Sequence, residues 1–185
     1  MIKDVMDDAE VRMGKAIDAL QRDLTSIRTG RASPSLVERL TVDYYGSSTP
    51  LNQLAGISVP EPRLLVIQPW DRGSMPAIEK AILKSELGLN PSNDGQVIRI
   101  AIPALTEDRR KQMVKLVHGH VEEGKVALRN IRRDAMASVK DLLNEKTIGE
   151  DEERKAEQLV DELTKRFVAE ADKVGKSKEQ EVLEV

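Results

Sequence analysis

The chain has no cysteine, which removes disulfides, thiolate metal sites and cysteine nucleophiles from consideration. Aromatic residues are nearly as scarce. Tyr44, Tyr45, Trp70 and Phe167 are the whole set, 2% of 185 residues, so a core must be built from Leu, Ile, Val, Met and Ala. Proline is missing from both flanks: Pro34 stands alone and the other seven lie between positions 50 and 103. No apolar run approaches the roughly 20 residues of a membrane span. The N-terminal Met-Ile-Lys-Asp-Val-Met-Asp-Asp is too charged for a signal peptide, and the expected location is cytoplasmic. No phosphate-binding loop, dinucleotide-binding glycine pattern or Ser–His–Asp signature occurs. His118 and His120 lie about 200° apart on a helix, so the pair cannot hold one ion from one face; both are expected to face solvent. Acidic pairs such as Asp7-Asp8 and Glu122-Glu123 fit a solvated helix face. No catalytic group, metal ligand or cofactor is expected, and the chain reads as non-enzymatic.

Helical periodicity is what the flanks do contain. Met6, Ala9, Met13, Ala16, Leu20, Leu24 and Ile27 recur at steps of three and four, which places them on one stripe of a helix over 2–29. Gly30 and then Pro34 read as its stop. After Pro103-Ala104-Leu105, Thr106 can cap a helix whose first turn carries Glu107 and Asp108. Met113, Val117, Val121, Leu128, Ile131, Ala135, Val139 and Leu142 form its stripe, and Gly124 falls on that seam. At 1.5 Å per residue some 40 residues span roughly 60 Å, so this helix needs long neighbours. After Thr147-Ile148-Gly149, the acids 150–153 open a third helix striped by Ala156, Val160, Leu163, Phe167, Ala171 and Val174.

Between the flanks the pattern shortens. Val37–Tyr45, Ile57–Val59, Leu64–Ile67 and Val97–Ile102 are β-rich runs separated by Gly, Pro, Asn and Asp clusters, and one helix fits Met75–Glu86. The expected fold class is α+β: an antiparallel three-helix bundle from 1–30 and 105–185, with a small β/α/β domain inserted at 31–104. The chain then crosses between the two domains twice. Gly30 and Arg31 at one crossing and Pro103, Ala104 and Leu105 at the other suggest a hinge, with a rigid elbow as the equal alternative.

Net charge is −3, but its distribution is uneven. Residues 106–146 carry 10 basic and 7 acidic side chains, whereas 147–185 carry 7 and 12. Lys125, Arg129 and Arg132 follow at steps of four and three and Arg133 widens the stripe, so guanidinium groups are expected to reach solvent while their stems rest on the bundle. Such groups bind phosphates through paired hydrogen bonds and stack on bases. Arg109-Arg110-Lys111 forms a second cluster, and Arg28 and Arg31 flank Gly30. An ordinary salt-bridged surface, with Asp134 and Glu122 as partners, is the plain alternative. An adaptor or holdase that binds protein along its helices fits the same spacing.

The stretch Arg28-Thr29-Gly30-Arg31-Ala32-Ser33-Pro34 resembles a motif of the ribosome recycling factors. So do Tyr44-Tyr45-Gly46, Glu79-Lys80-Ala81-Ile82, Leu87-Gly88-Leu89-Asn90-Pro91, Pro103-Ala104-Leu105-Thr106-Glu107 and Arg129-Asn130-Ile131-Arg132-Arg133-Asp134-Ala135. The six occur in the family's order and spacing across essentially the whole chain. The resemblance implies an L-shaped, monomeric molecule with a mobile small domain. It implies binding to the 70S ribosome after termination, with the bundle on large-subunit ribosomal RNA. Elongation factor G would then hydrolyse GTP, swing the small domain and split the subunits. Arg132 matches the family's critical RNA-contacting arginine, with Arg129 and Arg133 beside it and Arg28 and Arg31 at the bundle tip. Gly30, Pro103, Ala104 and Leu105 match the hinge. His118-Gly119-His120 departs from the family pattern, and glycine inside a helix costs about 1 kcal/mol.

Overall fold

A computed structural model describes residues 1–184 and divides them into two compact units, Met1–Arg28 with Glu107–Glu184, and Thr29–Thr106. The first is all helical. Its helices are α1 (Ile2–Thr25), α3 (Glu107–Asn144) and α4 (Glu150–Leu183), and each packs on the other two. The stripes predicted by periodicity are the buried ones: Ala9, Met13, Leu20 and Leu24 on α1, Met113, Val117, Val121, Leu128 and Ile131 on α3, and Ala156, Val160, Leu163, Phe167 and Ala171 on α4. Contacts fix the directions. Arg12 meets Asp134 and Leu20 lies against Gly124, so α1 and α3 are antiparallel; Arg132 meets Asp161 and Lys125 meets Asp172, so α3 and α4 are antiparallel as well. Lys146, at φ 59°, carries the tight turn between α3 and α4. Val139, Ile148 and Ala156 close the core beside that turn.

One close approach in the bundle requires glycine. A Cβ on Gly175 of α4 would stand 2.5 Å from Cγ2 of Val121 on α3, and the β-branched valine has little rotamer freedom with which to retreat. Gly119 is the reverse case: among the described residues a Cβ there meets nothing within 4 Å, and α3 runs through it unbroken.

The first helix ends earlier than its periodicity predicts. It stops at Thr25 rather than Thr29, and Gly30 is therefore not its capping residue. The reason is local: the Thr25 and Ser26 hydroxyls donate to the Gln21 and Asp23 carbonyls, and such back-bonding competes with the helical backbone ladder. Gly30 still takes φ 77°.

The second unit contains a hairpin, β1 (Thr41–Tyr44) with β2 (Ser47–Pro50), and a four-stranded antiparallel sheet. That sheet runs in the order β3 (Ala55–Glu61), β4 (Leu64–Pro69), β6 (Ile98–Ala101), β5 (Pro91–Asn93), with α2 (Met75–Lys84) beside them. Alternation aims Leu65, Ile67, Ile98 and Ile100 inward, where they meet Val37, Val42, Leu51, Ile78 and Ile82; none of these nine retains exposed surface. The expected strand from Val37 begins only at Thr41, because Pro34–Leu36 forms a 3-10 turn after Ser33, whose hydroxyl accepts from the Ser35 N–H. Two strands were not expected. β2 occupies a stretch expected to be a separator, and β5 is a three-residue edge strand in another. Tyr45 and Gly46, at φ 49° and 83°, form the two-residue turn that makes β2 possible.

Candidate nucleic-acid interface

The basic stripe of α3 is two structures rather than one. Viewed down the helix, Lys125 and Arg132 lie on the border with α4, while Arg129 and Arg133 lie on the outer face. The border residues are ion-paired. Lys125 Nζ stands 2.6 Å from Asp172 Oδ1, and with 18% of its side chain exposed it belongs to the α3–α4 seam, contrary to the expected solvent-facing role. Arg132 Nε donates to Asp161 Oδ1 at 2.7 Å, yet 44% of the arginine stays exposed. The contact engages one nitrogen of the guanidinium fork and leaves the two terminal nitrogens without a protein partner among the described residues. Arg129 is exposed, and Arg133 donates from Nη2 to Asn130 Oδ1 at 3.2 Å.

Asp134, expected as a local partner for these arginines, instead accepts from Arg12 of α1 at 2.9 Å. Glu122 reaches Lys125 only at 3.9 Å. Helix α3 is thus flanked by ion pairs to α1 on one side and to α4 on the other, and Arg129 and Arg133 stand between them. A ladder on the α4 side explains the arrangement. His118, Lys125 and Arg132 recur every seven residues and face Glu179, Asp172 and Asp161 on α4. Spacing of seven keeps residues on one edge of paired helices. That heptad was readable in the sequence, and it is the signal that separates Arg132 and Lys125 from their neighbours. Two further arginines, missed in the sequence, also join helices: Arg12, and Arg166, which meets Glu10 at 2.7 Å and lies 5.1 Å over the Phe167 ring.

The other basic residues lie away from this group. Arg109 donates to Gln112, and Arg110 is half-buried. Both are about 35 Å along α3 from Arg132 at 1.5 Å per residue. Arg28 follows the C-terminal end of α1, which lies beside the early turns of α3, so Arg28 and Arg109 share one end of the bundle. Arg31 and Gly30 belong to the second unit, as do Pro103, Ala104 and Leu105, which lie in a stretch without regular structure. The histidines diverge as their angular separation requires. His118 meets Glu179 at 3.2 Å, but His120, only 28% exposed, sits in the α1–α3 seam rather than in solvent.

In the second unit, Asp71 accepts from the Gly73 N–H and from both tyrosine hydroxyls, at 3.1 Å from Tyr44 and 3.2 Å from Tyr45. The Gly73 bond comes first among the causes that hold this carboxyl below the usual carboxylate range, and the same carboxylate raises both phenols. The arrangement braces a turn.

Comparison with known proteins agrees with this frame. Residues 20–183 match the family model described as ribosome recycling factor. The ribosome-recycling factor of Thermomicrobium roseum is 62% identical over the full length of both chains, and that of a Roseiflexus species is 59% identical over the same span. Among solved structures, the solution structure of a ribosome recycling factor aligns with a TM-score of 0.74 at 43% identity, covering 100% of this chain and 98% of the other. A second match, at TM-score 0.65 and 46% identity, covers 99% of both chains; it is the T. thermophilus ribosome recycling factor placed with E. coli elongation factor G on the E. coli post-termination complex.

Proposed function

This chain belongs to the ribosome recycling factor family, and from that premise we propose that it binds the post-termination ribosome through the arginines of α3. It acts with elongation factor G and GTP to split the subunits and release messenger and transfer RNA. The chain itself supplies no catalytic group and takes no cofactor; GTP is consumed by the partner. It works as a monomer in the cytoplasm.

The observation that carries the RNA-binding role is the state of Arg132. One edge of its guanidinium is pinned by Asp161, and nearly half its surface remains exposed beside Arg129 and Arg133. A pinned guanidinium loses less rotamer freedom when it meets a phosphate, and its fork matches phosphate geometry. Arg28, Arg31, Arg109 and Arg110 add weaker contacts, and Lys125 acts mainly by holding α3 to α4.

The test is polysome breakdown with elongation factor G and GTP. Addition of this protein should convert polysomes to subunits, and no conversion would refute the function. Motion is assigned to Gly30 and Arg31 and to Pro103, Ala104 and Leu105, where the chain passes between units. A cross-link between the units should then preserve ribosome binding and stop splitting; full splitting by the locked protein would remove the hinge from the account.

A further inference from the structure

The seam between α1 and α3 holds a cluster outside the arginines proposed for ribosome binding. Asp23 lies in the last turn of α1, and His120 and Glu123 stand one turn apart on α3. His120 Nδ1 is 3.8 Å from Asp23 Oδ2 and 3.6 Å from Glu123 Oε2, and the three ligand atoms all lie within 4.8 Å of one another. Those separations are too long for hydrogen bonds. His120 Nδ1 is nevertheless buried and has no hydrogen-bond partner among the described residues. An imidazole nitrogen atom out of contact with water is costly unless something satisfies it. Here it faces two carboxylates, and neither has closed on it.

Three ligand atoms each about 2.0–2.2 Å from one ion stand roughly 3.3 Å apart, so small side-chain movements would bring this set onto a common centre. The positions suit such a role. Residues three apart on a helix are neighbours on its surface, and the third ligand comes from the facing antiparallel helix, as in bundle metal sites built from carboxylates and imidazole. Gly119 presents no side chain, and an open groove of about 450 Å³ runs along α3 past Gln112, Leu116 and Gly119 to His120 and Glu123. Water from that groove reaches the set on the side of the exposed Glu123 and can complete the coordination there. One imidazole with two carboxylates suits zinc, cobalt or nickel better than calcium or magnesium, which favour oxygen-only shells.

We propose that Asp23, His120 and Glu123 bind one divalent transition-metal ion, which ties the C-terminal end of α1 to α3. The site lies at the surface of the α1–α3 seam, where Asp23 and Glu123 are exposed and His120 is partly enclosed, and it is distinct from the arginine group around Arg132.

The experiment is a titration of the full chain with Co²⁺, followed by its visible absorption bands, then competition with Zn²⁺ and a thermal melt with and without Zn²⁺. Saturation at one ion per chain, displacement by Zn²⁺ and a raised melting temperature are expected. His120→Ala and Asp23→Asn should each weaken binding by at least about tenfold and abolish the rise in melting temperature. His118→Ala should leave both unchanged, because that imidazole pairs with Glu179. Circular dichroism checks folding, and Glu123→Gln, which keeps its side-chain size, is the second ligand variant. No saturable binding would overturn the proposal. So would equal loss in His118→Ala, or undiminished affinity in both His120→Ala and Glu123→Gln.

Discussion

The bundle and the inserted unit use polar groups in opposite ways. In the bundle, charged side chains join residues far apart in sequence: Arg12 to Asp134, Arg166 to Glu10, Arg132 to Asp161. In the inserted unit carboxylates cap their own turns, although Asp71 also takes the distant Tyr44 and Tyr45 hydroxyls. Asp43 accepts from the Gly46 N–H, Asp71 from that of Gly73, and Asp94 from those of Gln96 and Val97. The cores differ in the same sense. The inserted unit closes around nine fully buried aliphatic residues, whereas the bundle has a narrow apolar stripe along each long helix. Exposed ion pairs contribute about 0–1 kcal/mol each, so the bundle's charges set helix register more than stability. The same helices also leave Arg129, Arg132 and Arg133 exposed. The inserted unit spends its polar groups on turns and stands on its core.

The largest test of this contrast is Ile67→Ala, which empties a fully buried position in the inserted unit and should cost about 2–5 kcal/mol. The lone tryptophan, Trp70, lies in that unit, so its fluorescence in urea should report the loss. Far-UV circular dichroism, dominated by the long helices, should move less. Coincident shifts of both signals would erase the distinction between two cores.

Within the bundle, Gly175→Ala and Gly119→Ala should act with opposite signs. The first drives a methyl against Val121 and should destabilise by about 1–2 kcal/mol, overpacking outweighing the gain in helix propensity. The second meets open space and should stabilise by about 0.5–1 kcal/mol. Urea midpoints measure both, and a shared sign would contradict the packing described for Val121.

The smallest effect concerns acid. The Val97 N–H, then Arg99 and the Gln96 N–H, hold the Asp94 carboxyl well below the usual carboxylate range. A carboxyl depressed in the folded state contributes stability above its unfolded value, near 3.9, and that contribution disappears as pH falls. The inserted unit should therefore weaken in acid below about pH 3.9, and Asp94→Asn should flatten that part of the profile. An unchanged acid limb in the variant would remove Asp94 from the explanation.

Much of this was legible in the sequence because helical period survives any tertiary context. The stripes over α1, α3 and α4 are the buried faces, and the fold class and family follow from them and from the six motifs. What escaped was set by partners distant in the chain. β2 is Ser47-Ser48-Thr49-Pro50, which has little strand propensity and forms because Tyr45-Gly46 turns it against β1. β5 begins at a proline and pairs only at the sheet edge, where its Asn93 also donates to Glu79 of α2. At the candidate site, spacing on α3 grouped Lys125 with Arg132 but could not show that acids of α4 reach both. Exposure then divides them, since one is enclosed in the seam and the other retains an open face.

The most direct measurement is large-subunit binding by Arg132→Ala and Lys125→Ala across a salt series. Each phosphate contact adds roughly 0.7–0.9 to the slope of log affinity against log salt. Arg132→Ala should lose affinity and flatten that slope by about one while circular dichroism is unchanged, and Lys125→Ala should keep the slope. Equal slopes and affinities for Arg132→Ala and the unaltered protein would contradict the account.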